Sequence, residues 1–221
     1  MEEVILYHGS DHIIEKPEKN KGRNTNDYGQ AFYCTKDIHS AKEWANKDIR
    51  NGVVNKYYFD GRGLSVLDLT DKAKYSVLNW VAILMHFRNI SKDFKESHQR
   101  ELDYLEKNYY IDVTKYDVIY GFRADDSYFK FPSLFVDNQL RLEALEEIYL
   151  LGYLGTQYAI ISEKAFKRIK FIKSEQVDPI YFDKYQTRIF NADNRFEELK
   201  NKDKYLDGTR ILDLIRNDKR K

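Results

Sequence analysis

Short apolar runs, separated by polar stretches, set the pattern of this chain. Runs at residues 4–7, 31–35, 53–59, 117–121 and 158–161 are rich in Val, Ile, Tyr and Phe. Runs of that length and composition predict buried β-strands. One or two further strands are expected between residues 171 and 180. Residues 64–69, which follow the Asp60-Gly61-Arg62-Gly63 turn, are expected to pair antiparallel with the run before it.

Between these runs, apolar residues recur at helical spacing. Asp37 is a good N-cap for a helix that uses Ile38, Ala41, Ala45 and Ile49 on one face. Gly52 is expected to end it. Further helices are predicted at residues 74–89 (amphipathic), 94–107 (charged and exposed) and 138–151. Residues 11–27 are polar and predict a long loop, which in a compact domain is usually functional or mobile.

The order of elements predicts a mixed α+β protein. Strands and helices do not alternate regularly, and no G-x-G-x-x-G follows the first strand, which argues against a dinucleotide-binding Rossmann fold. From Asp183 the apolar residues become sparse and the charges dense. We therefore expect a main domain over residues 1–182 and a helical extension over residues 183–221. Without a core of its own, the extension must pack on the domain, pack on another chain or stay mobile.

Composition narrows the class of protein. Hydrophobic residues make up 42% and charged residues 33% of the 221 residues, as in soluble globular proteins. The formal net charge of +1 gives no global electrostatic attraction to nucleic acid or to a membrane. Cys34 is the single cysteine, which is typical of a reducing compartment. No signal peptide or membrane-spanning run is evident, so the sequence predicts a cytoplasmic protein.

Four segments carry a family resemblance: Y-H-G-S at residues 7–10, Y-G-Q-A-F-Y-C-T at 28–35, D-V-I-Y-G-F-R-A-D-D at 117–126 and T-Q-Y-A-I-I-S-E-K-A-F at 156–166. In this order they resemble the ADP-ribosyltransferase superfamily, in its diphtheria-toxin and poly(ADP-ribose) polymerase branch. The chain to about Lys173 looks closest to a bacterial, toxin-like domain family of unassigned function placed in that superfamily. The resemblance implies a split antiparallel β-sheet core with flanking helices.

The resemblance also implies roles for three residues. The branch pattern is His, Tyr and Glu on three separated strands, and His8 and Tyr33 match its first two positions. His8 would hydrogen-bond the ribose hydroxyls of NAD, and Tyr33 would stack on nicotinamide. The ordinary alternatives are a strand-end histidine and a core tyrosine. At the third position the chain has Gln157, as does the closest family; glutamine keeps an acceptor oxygen but lacks the negative charge.

Other residues are candidates around the same cofactor. Asp125 and Asp126 could supply the missing charge, or they could form a solvated loop pair. Arg88 and Arg123 could hold pyrophosphate oxygens, or they could be structural ion-pair partners. The complete set implied to contact NAD is Tyr7, His8, Gly9, Ser10, Tyr28, Gly29, Phe32, Tyr33, Thr35, Arg88 and Gln157.

The implied function is NAD-dependent mono-ADP-ribosyl transfer with release of nicotinamide, as in a bacterial toxin or toxin–antitoxin effector. The acceptor would be a protein or a nucleic acid, and a small antitoxin protein is a possible partner that could dock on the extension. Two alternatives stay open: a module that binds NAD or ADP-ribose without turnover, and an NAD glycohydrolase. The histidine spacing and the single cysteine indicate no metal site.

Overall fold

The architecture is seen in a computed structural model, which describes residues 2–48, 51–124, 129–150, 155–200 and 207–218. Strands form where the apolar runs predict them. They are β1 (Glu3–Ser10), β2 (Phe32–Cys34), β3 (Val53–Asp60), β4 (Val66–Asp68), β5 (Val118–Phe122), β6 (Thr156–Ile160) and β7 (Ile169–Gln176). The predicted loop at residues 11–27 contains neither helix nor strand.

The helices follow the same chain order. They are α1 (Ile38–Ala45), α2 (Val77–Phe87), α3 (Lys92–Ser97), α4 (Gln99–Tyr109), α5 (Lys130–Val136), α6 (Leu142–Leu150), α7 (Glu163–Phe166), α8 (Ile180–Lys200) and α9 (Ile211–Asp218). The protein is therefore α+β, as predicted. No helix in the described ranges has the length and apolar character needed to cross a bilayer.

The described strands form two sheets. The order in the first is β1-β3-β7, and all its pairs are antiparallel. The order in the second is β2-β6-β5-β4, in which only β4 and β5 are parallel. The predicted hairpin between residues 53–59 and 64–69 is therefore wrong. Both edges of β3 are already paired with β1 and β7, so the chain after Asp60 crosses to the other sheet.

Apolar side chains fill the space between the two sheets. Leu6 and Tyr57 from the first sheet share a buried cluster with Cys34, Val118 and Ile160 from the second. The opposite face of the second sheet packs on helices through a larger cluster. On the outer face of the first sheet, α1 and the start of α8 form a third cluster. The layers therefore run helix, sheet, sheet, helix.

Helix α2 corrects the prediction of an amphipathic helix at residues 74–89. Eight of its residues are buried, including Trp80, Ile83 and Leu84. The second sheet and helices α4, α5 and α6 surround it. A helix enclosed by neighbours is apolar on all sides.

Three helical predictions need smaller corrections. Helix α1 has the predicted N-cap Asp37 but ends at Ala45, not near Gly52. Asn46 is its C-cap, and the Asn46 side-chain oxygen accepts a hydrogen bond from the Gly52 amide. The predicted helix at residues 94–107 is broken at His98 into α3 and α4. The helix predicted at residues 138–151 begins at Leu142, and α5 before it was not predicted.

The C-terminal residues pack on the main body. Helix α8 begins at Ile180, so the predicted boundary at 182/183 falls inside it. Its Tyr181 lies in the cluster with α1. In α9, Ile211 and Ile215 are 0% and 3% exposed and belong to the largest core cluster. Of the three placements open for the extension, packing on the domain is observed at Tyr185, Ile211 and Ile215.

Candidate functional site

A cavity of about 780 Å³ opens where the two sheets meet. The end of β1, strand β2, the start of β6, the loop at residues 11–27 and helix α1 form its walls. Its volume lies within the range of roughly 300–1,000 Å³ that is usual for small-molecule sites.

Most of the predicted contact residues line this cavity. They come from four distant parts of the chain and are Tyr7, His8, Gly9, Ser10, Phe32, Tyr33, Thr35, Arg88 and Gln157. Arg123 lines it too. Asp125 and Asp126 lie outside the described residues. The cavity therefore brings together the histidine, tyrosine and glutamine that the sequence singled out.

A backbone bridge between the two sheets places His8 beside Tyr33. The Tyr7 amide donates to the Thr35 carbonyl at 2.8 Å, and the Thr35 amide donates back to Tyr7 at 2.9 Å. His8 Nδ1 then lies 2.6 Å from the Tyr33 carbonyl oxygen. A carbonyl only accepts, so Nδ1 carries the proton and donates. Burial lowers the pKa of His8, which keeps the ring neutral and leaves Nε2 as an acceptor.

The Tyr33 ring is held by both functions of its hydroxyl. The hydroxyl donates to the Gly29 carbonyl at 2.6 Å and accepts from the Tyr28 amide at 3.0 Å. This closure needs a tight turn, and Gly29 adopts a φ of +76° there. The ring is thus fixed before any ligand arrives, which reduces the entropy lost on binding.

Asp27 is a site residue that the sequence did not single out. It is 6% exposed and borders the cavity. Its Oδ2 accepts from Gln157 Nε2 at 2.7 Å and from the Ala124 amide at 2.8 Å. Its Oδ1 lies 3.4 Å from an Arg88 guanidinium nitrogen. A carboxylate therefore touches the glutamine that occupies the expected glutamate position.

The electrostatics of Asp27 are dominated by burial. Burial raises the pKa of Asp27 to about 6, against the lowering effects of Arg88, the two hydrogen bonds and Arg123. The carboxyl group therefore titrates close to neutral pH. Perturbed acids of this kind concentrate at functional sites.

Buried polar side chains are concentrated here. Among the described residues, the buried polar or charged ones are Asp27, Asn46, Asn55, Arg123 and Gln157. Three of these five line the cavity. Burying charged groups costs free energy unless they are paired and hydrogen-bonded, so their collection at one place indicates a role beyond stability.

Asn55 on β3 fixes the loop that walls the cavity. Its side chain is 0% exposed. The side-chain oxygen accepts from the Ile14 amide at 2.9 Å, and the nitrogen donates to Ser10 Oγ at 2.9 Å and to the His12 carbonyl at 3.2 Å. Tyr57, next on the same face of β3, donates its hydroxyl to the Ile14 carbonyl at 2.6 Å.

Tyr28 and Gly29 also belong to the predicted contact set, but neither is among the residues that line this cavity. Tyr28 is 1% exposed, and its hydroxyl donates to the Phe122 carbonyl at 2.6 Å. It is a core residue that ties the turn to β5. Gly29 supports the site through the backbone turn that holds Tyr33.

Three lining residues have structural reasons for their identity. Ser10 Oγ is bonded to Asn55 and to the loop backbone. Thr35 Oγ1 donates to the Thr156 carbonyl at 3.2 Å and accepts from the Asp37 amide at 3.1 Å. Gly9 faces α1, where an added Cβ would lie 2.1 Å from the Ala41 carbonyl oxygen. These residues shape the cavity wall: the Ser10 and Thr35 hydroxyls are bonded within the protein, and Gly9 leaves room for α1.

Two arginines give the cavity positive charge beside Asp27. The Arg88 guanidinium lies over the Phe129 ring at 4.8 Å, and that of Arg123 lies over the Trp44 ring at 4.9 Å. Planar stacking of this kind orients the guanidinium. The cavity lining thus combines two guanidinium groups with the aromatic ring of Tyr33. Within the described part of the chain, no cluster of three His, Cys, Asp or Glu could hold a metal ion.

A weak signal for Asp27 was present in the sequence. It directly precedes the Tyr28-Gly29 turn and closes a polar loop. Aspartate before a glycine turn is also ordinary turn chemistry, so residue type gave no reason to prefer the functional interpretation. Only the tertiary structure shows that the Asp27 carboxylate accepts a hydrogen bond from the Gln157 amide.

The chain belongs to a family described as proteins of unknown function (DUF3990), whose family model matches residues 4–171. The matched region contains the described cavity residues. Neither the curated proteins nor the solved structures contain a match to the chain.

Proposed function

We propose that this member of the DUF3990 family is an NAD-dependent mono-ADP-ribosyltransferase that uses the cavity where its sheets meet. One observation carries the proposal: His8, Tyr33 and Gln157 lie on three strands far apart in sequence and line the same cavity. These are the positions at which the chain resembles the His, Tyr and Glu pattern of the ADP-ribosyltransferase superfamily. The assignment to its diphtheria-toxin-like branch, and to its specific fold, belongs to this proposal.

Each side chain has a role that its geometry supports. The His8 Nε2 acceptor receives a hydrogen bond from a ribose hydroxyl of NAD, while Nδ1 stays on the Tyr33 carbonyl. The fixed Tyr33 ring offers its face to the positively charged nicotinamide. Gln157 supplies an amide oxygen to the ribose next to the bond that breaks. Arg88 and Arg123 face the pyrophosphate.

The proposed reaction exchanges one bond for another at the ribose anomeric carbon. The bond from that carbon to the nicotinamide nitrogen breaks, and both electrons leave with nicotinamide, which departs neutral. The acceptor nucleophile then bonds to the carbon and releases its proton. The acceptor is a side chain of a protein or a group of a nucleic acid.

A second candidate function is NAD or ADP-ribose binding without turnover. The observation that favours it is Gln157 itself, because an amide lacks the formal charge that stabilises a cationic transition state. Loss of one such preorganised contact typically costs about 3–4 kcal/mol of barrier. Binding and transfer share the same cavity and differ only in whether the glycosidic bond breaks.

Labelled NAD separates these functions. Purified protein is incubated with NAD labelled in the adenylate part, with and without cell extract. Label on a macromolecule is the outcome expected for transfer, and free ADP-ribose would indicate hydrolysis instead. NAD that raises the unfolding temperature without being consumed would indicate binding alone. No consumption and no binding would overturn both functions.

Substitutions of Tyr33 test the cavity as the NAD site. Tyr33→Ala removes the stacking face and should weaken NAD binding about tenfold. A cation–π contact is worth about 1 kcal/mol, and the loss of buried apolar area adds to it. Tyr33→Phe is the matched control, since it keeps the ring and loses only the hydroxyl, with its bonds to Gly29 and Tyr28. His8→Ala should also weaken binding. Affinities measured by calorimetry that are unchanged in Tyr33→Ala and His8→Ala would place NAD elsewhere.

A further inference from the structure

The orientation of the Gln157 side chain follows from its partner. An ionised carboxylate only accepts hydrogen bonds, so the amide group facing Asp27 Oδ2 at 2.7 Å must be the NH₂ group. The amide oxygen then points away from Asp27. Gln157 lines the cavity, and an acceptor is what a ribose hydroxyl requires.

Asp27 is itself fixed from a second side. The Ala124 amide donates to the same oxygen at 2.8 Å, so the carboxylate is anchored by the backbone at the end of β5. It joins three segments that are remote in sequence: the loop before β2, the start of β6 and the end of β5. The carboxylate has no freedom to turn away from Gln157 without losing the Ala124 bond.

The charged and titratable groups around Asp27 come from every element packed against it. Arg88 at the end of α2 and Arg123 after β5 are cationic and favour its ionised form. The phenols of Tyr28 and Tyr33 interact with it electrostatically. Burial raises the pKa of both phenols well above the ordinary value, so both remain neutral. Asp27 is therefore the group of this set that titrates near neutral pH.

We propose that Asp27 is a positioning residue that acts through Gln157: it turns the amide oxygen toward the ribose and supplies, one bond removed, the negative charge that glutamine lacks. This inference rests on the function proposed above and deepens it. It assigns to Asp27, in the loop before β2, part of the role that the resemblance gives to a strand glutamate. The pair would make the glutamine-containing site competent.

The ionisation state of Asp27 should then control NAD affinity. NAD binding to the native protein is measured by calorimetry between pH 5 and pH 8. For a controlling group with a pKa of about 6, the ionised fraction and hence the affinity should rise about tenfold between pH 5 and pH 7. Asp27→Asn should bind at least tenfold more weakly at pH 7 and show a flat profile.

A charge exchange separates positioning from a merely structural bond. Gln157→Glu alone places two carboxylates in contact and should weaken binding at neutral pH, because like charges at this distance disfavour ionisation. The double variant Asp27→Asn with Gln157→Glu restores one carboxylate and one amide in the opposite order. It should recover affinity to within a few-fold of the native protein. Failure to recover, with folding intact by circular dichroism, would overturn the inference.

A measurement on the native protein covers the case in which the variants do not fold. Carbon NMR of the Asp27 carboxyl follows its titration with and without NAD. Saturating NAD should lower the titration midpoint, since a ligand that prefers the ionised form stabilises it. An unchanged midpoint with NAD bound would overturn the inference alone. Absence of NAD binding at every pH would overturn the proposed function, and the inference with it.

Discussion

At the scale of single residues, burying the ionised Asp27 carboxylate costs desolvation free energy that neighbouring interactions only partly offset. A carboxylate that is 6% exposed is held by two hydrogen bonds and lies near two arginines, yet its pKa stays raised to about 6. Desolvation thus outweighs the sum of its favourable contacts. An ionised group that destabilises the native state at neutral pH is typical of residues kept for function.

This cost has a measurable pH dependence. The native pKa of about 6 exceeds the reference value of 3.8, so the native state holds the proton more tightly than the unfolded chain does. The free energy of unfolding should therefore fall as pH rises from about 4 to about 6, and remain lower above. The difference of about two between the native and unfolded pKa values corresponds to about 3 kcal/mol of unfolding free energy.

Asp27→Asn cannot ionise and should remove this dependence. As pH rises from 4 to 7, the free energy of unfolding of the variant should increase by about 2–3 kcal/mol relative to that of the native protein. Urea denaturation at several pH values measures the difference. Asp93→Asn, at an exposed position in α3, is the control. Parallel pH curves for the native protein and Asp27→Asn would contradict the raised pKa.

At the scale of elements, the cavity depends on how β1 meets α1 and the loop. Strand β1 supplies His8 to the cavity, and the next residue, Gly9, lets α1 approach the strand backbone. The loop at residues 11–27 lacks helix and strand, so it relies on side-chain bonds from β3 for its position. The contact of β1 with α1 depends on Gly9, and the contact of β3 with the loop depends on Asn55 and Tyr57.

Gly9→Ala should separate β1 from α1. An added Cβ would lie 2.1 Å from the Ala41 carbonyl oxygen and 2.7 Å from the Ala45 amide, so backbone must move. Overpacking of this kind typically costs about 1–3 kcal/mol, and we expect the upper end here. Gly63→Ala is the control, because no atom lies within 4 Å of its added Cβ and only its φ of +67° opposes the change. Equal destabilisation of the two variants, measured by thermal unfolding, would contradict the close-packing argument.

Asn55→Ala should release the loop. The change removes the acceptor of the Ile14 amide and the donor to Ser10 and His12. Unsatisfied buried groups cost about 1–3 kcal/mol each. We expect faster hydrogen exchange at residues 11–17 and weaker NAD binding. Lys56→Ala, the next residue on β3 but on the other face, is the control; exchange that is equally slow in both variants would contradict the anchoring role.

At the scale of the whole molecule, the C-terminal helices complete the core. Helix α9 inserts Ile211 and Ile215 into the cluster that also contains α2 and one face of the second sheet. The Thr209 amide and hydroxyl both bond to Glu143 of α6, which fixes the approach of α9. The charged composition after Asp183 describes the outer faces of these helices, while a few apolar residues make the contact.

Ile211→Ala should therefore destabilise the entire protein. Removing a fully buried isoleucine side chain leaves a cavity and typically costs about 2–5 kcal/mol. Arg216→Ala on the exposed side of the same helix is the control and should change stability by less than about 0.5 kcal/mol. Both are measured by urea denaturation. A loss in Ile211→Ala no larger than in Arg216→Ala would show that α9 does not belong to the cooperative unit.

The sequence by itself determined the α+β class, the strand positions, the Asp37 cap and the residues of the cavity that carry recognisable motifs. Local patterns suffice for these because apolar period, turn chemistry and capping act over a few residues. The crossing from Asp60 to the other sheet, the burial of α2 and the place of α9 depend on which edges and faces are already occupied. The pairing of Asp27 with Gln157 is of the same kind. These two residues are 130 positions apart, and only the tertiary structure places a carboxylate beside the glutamine.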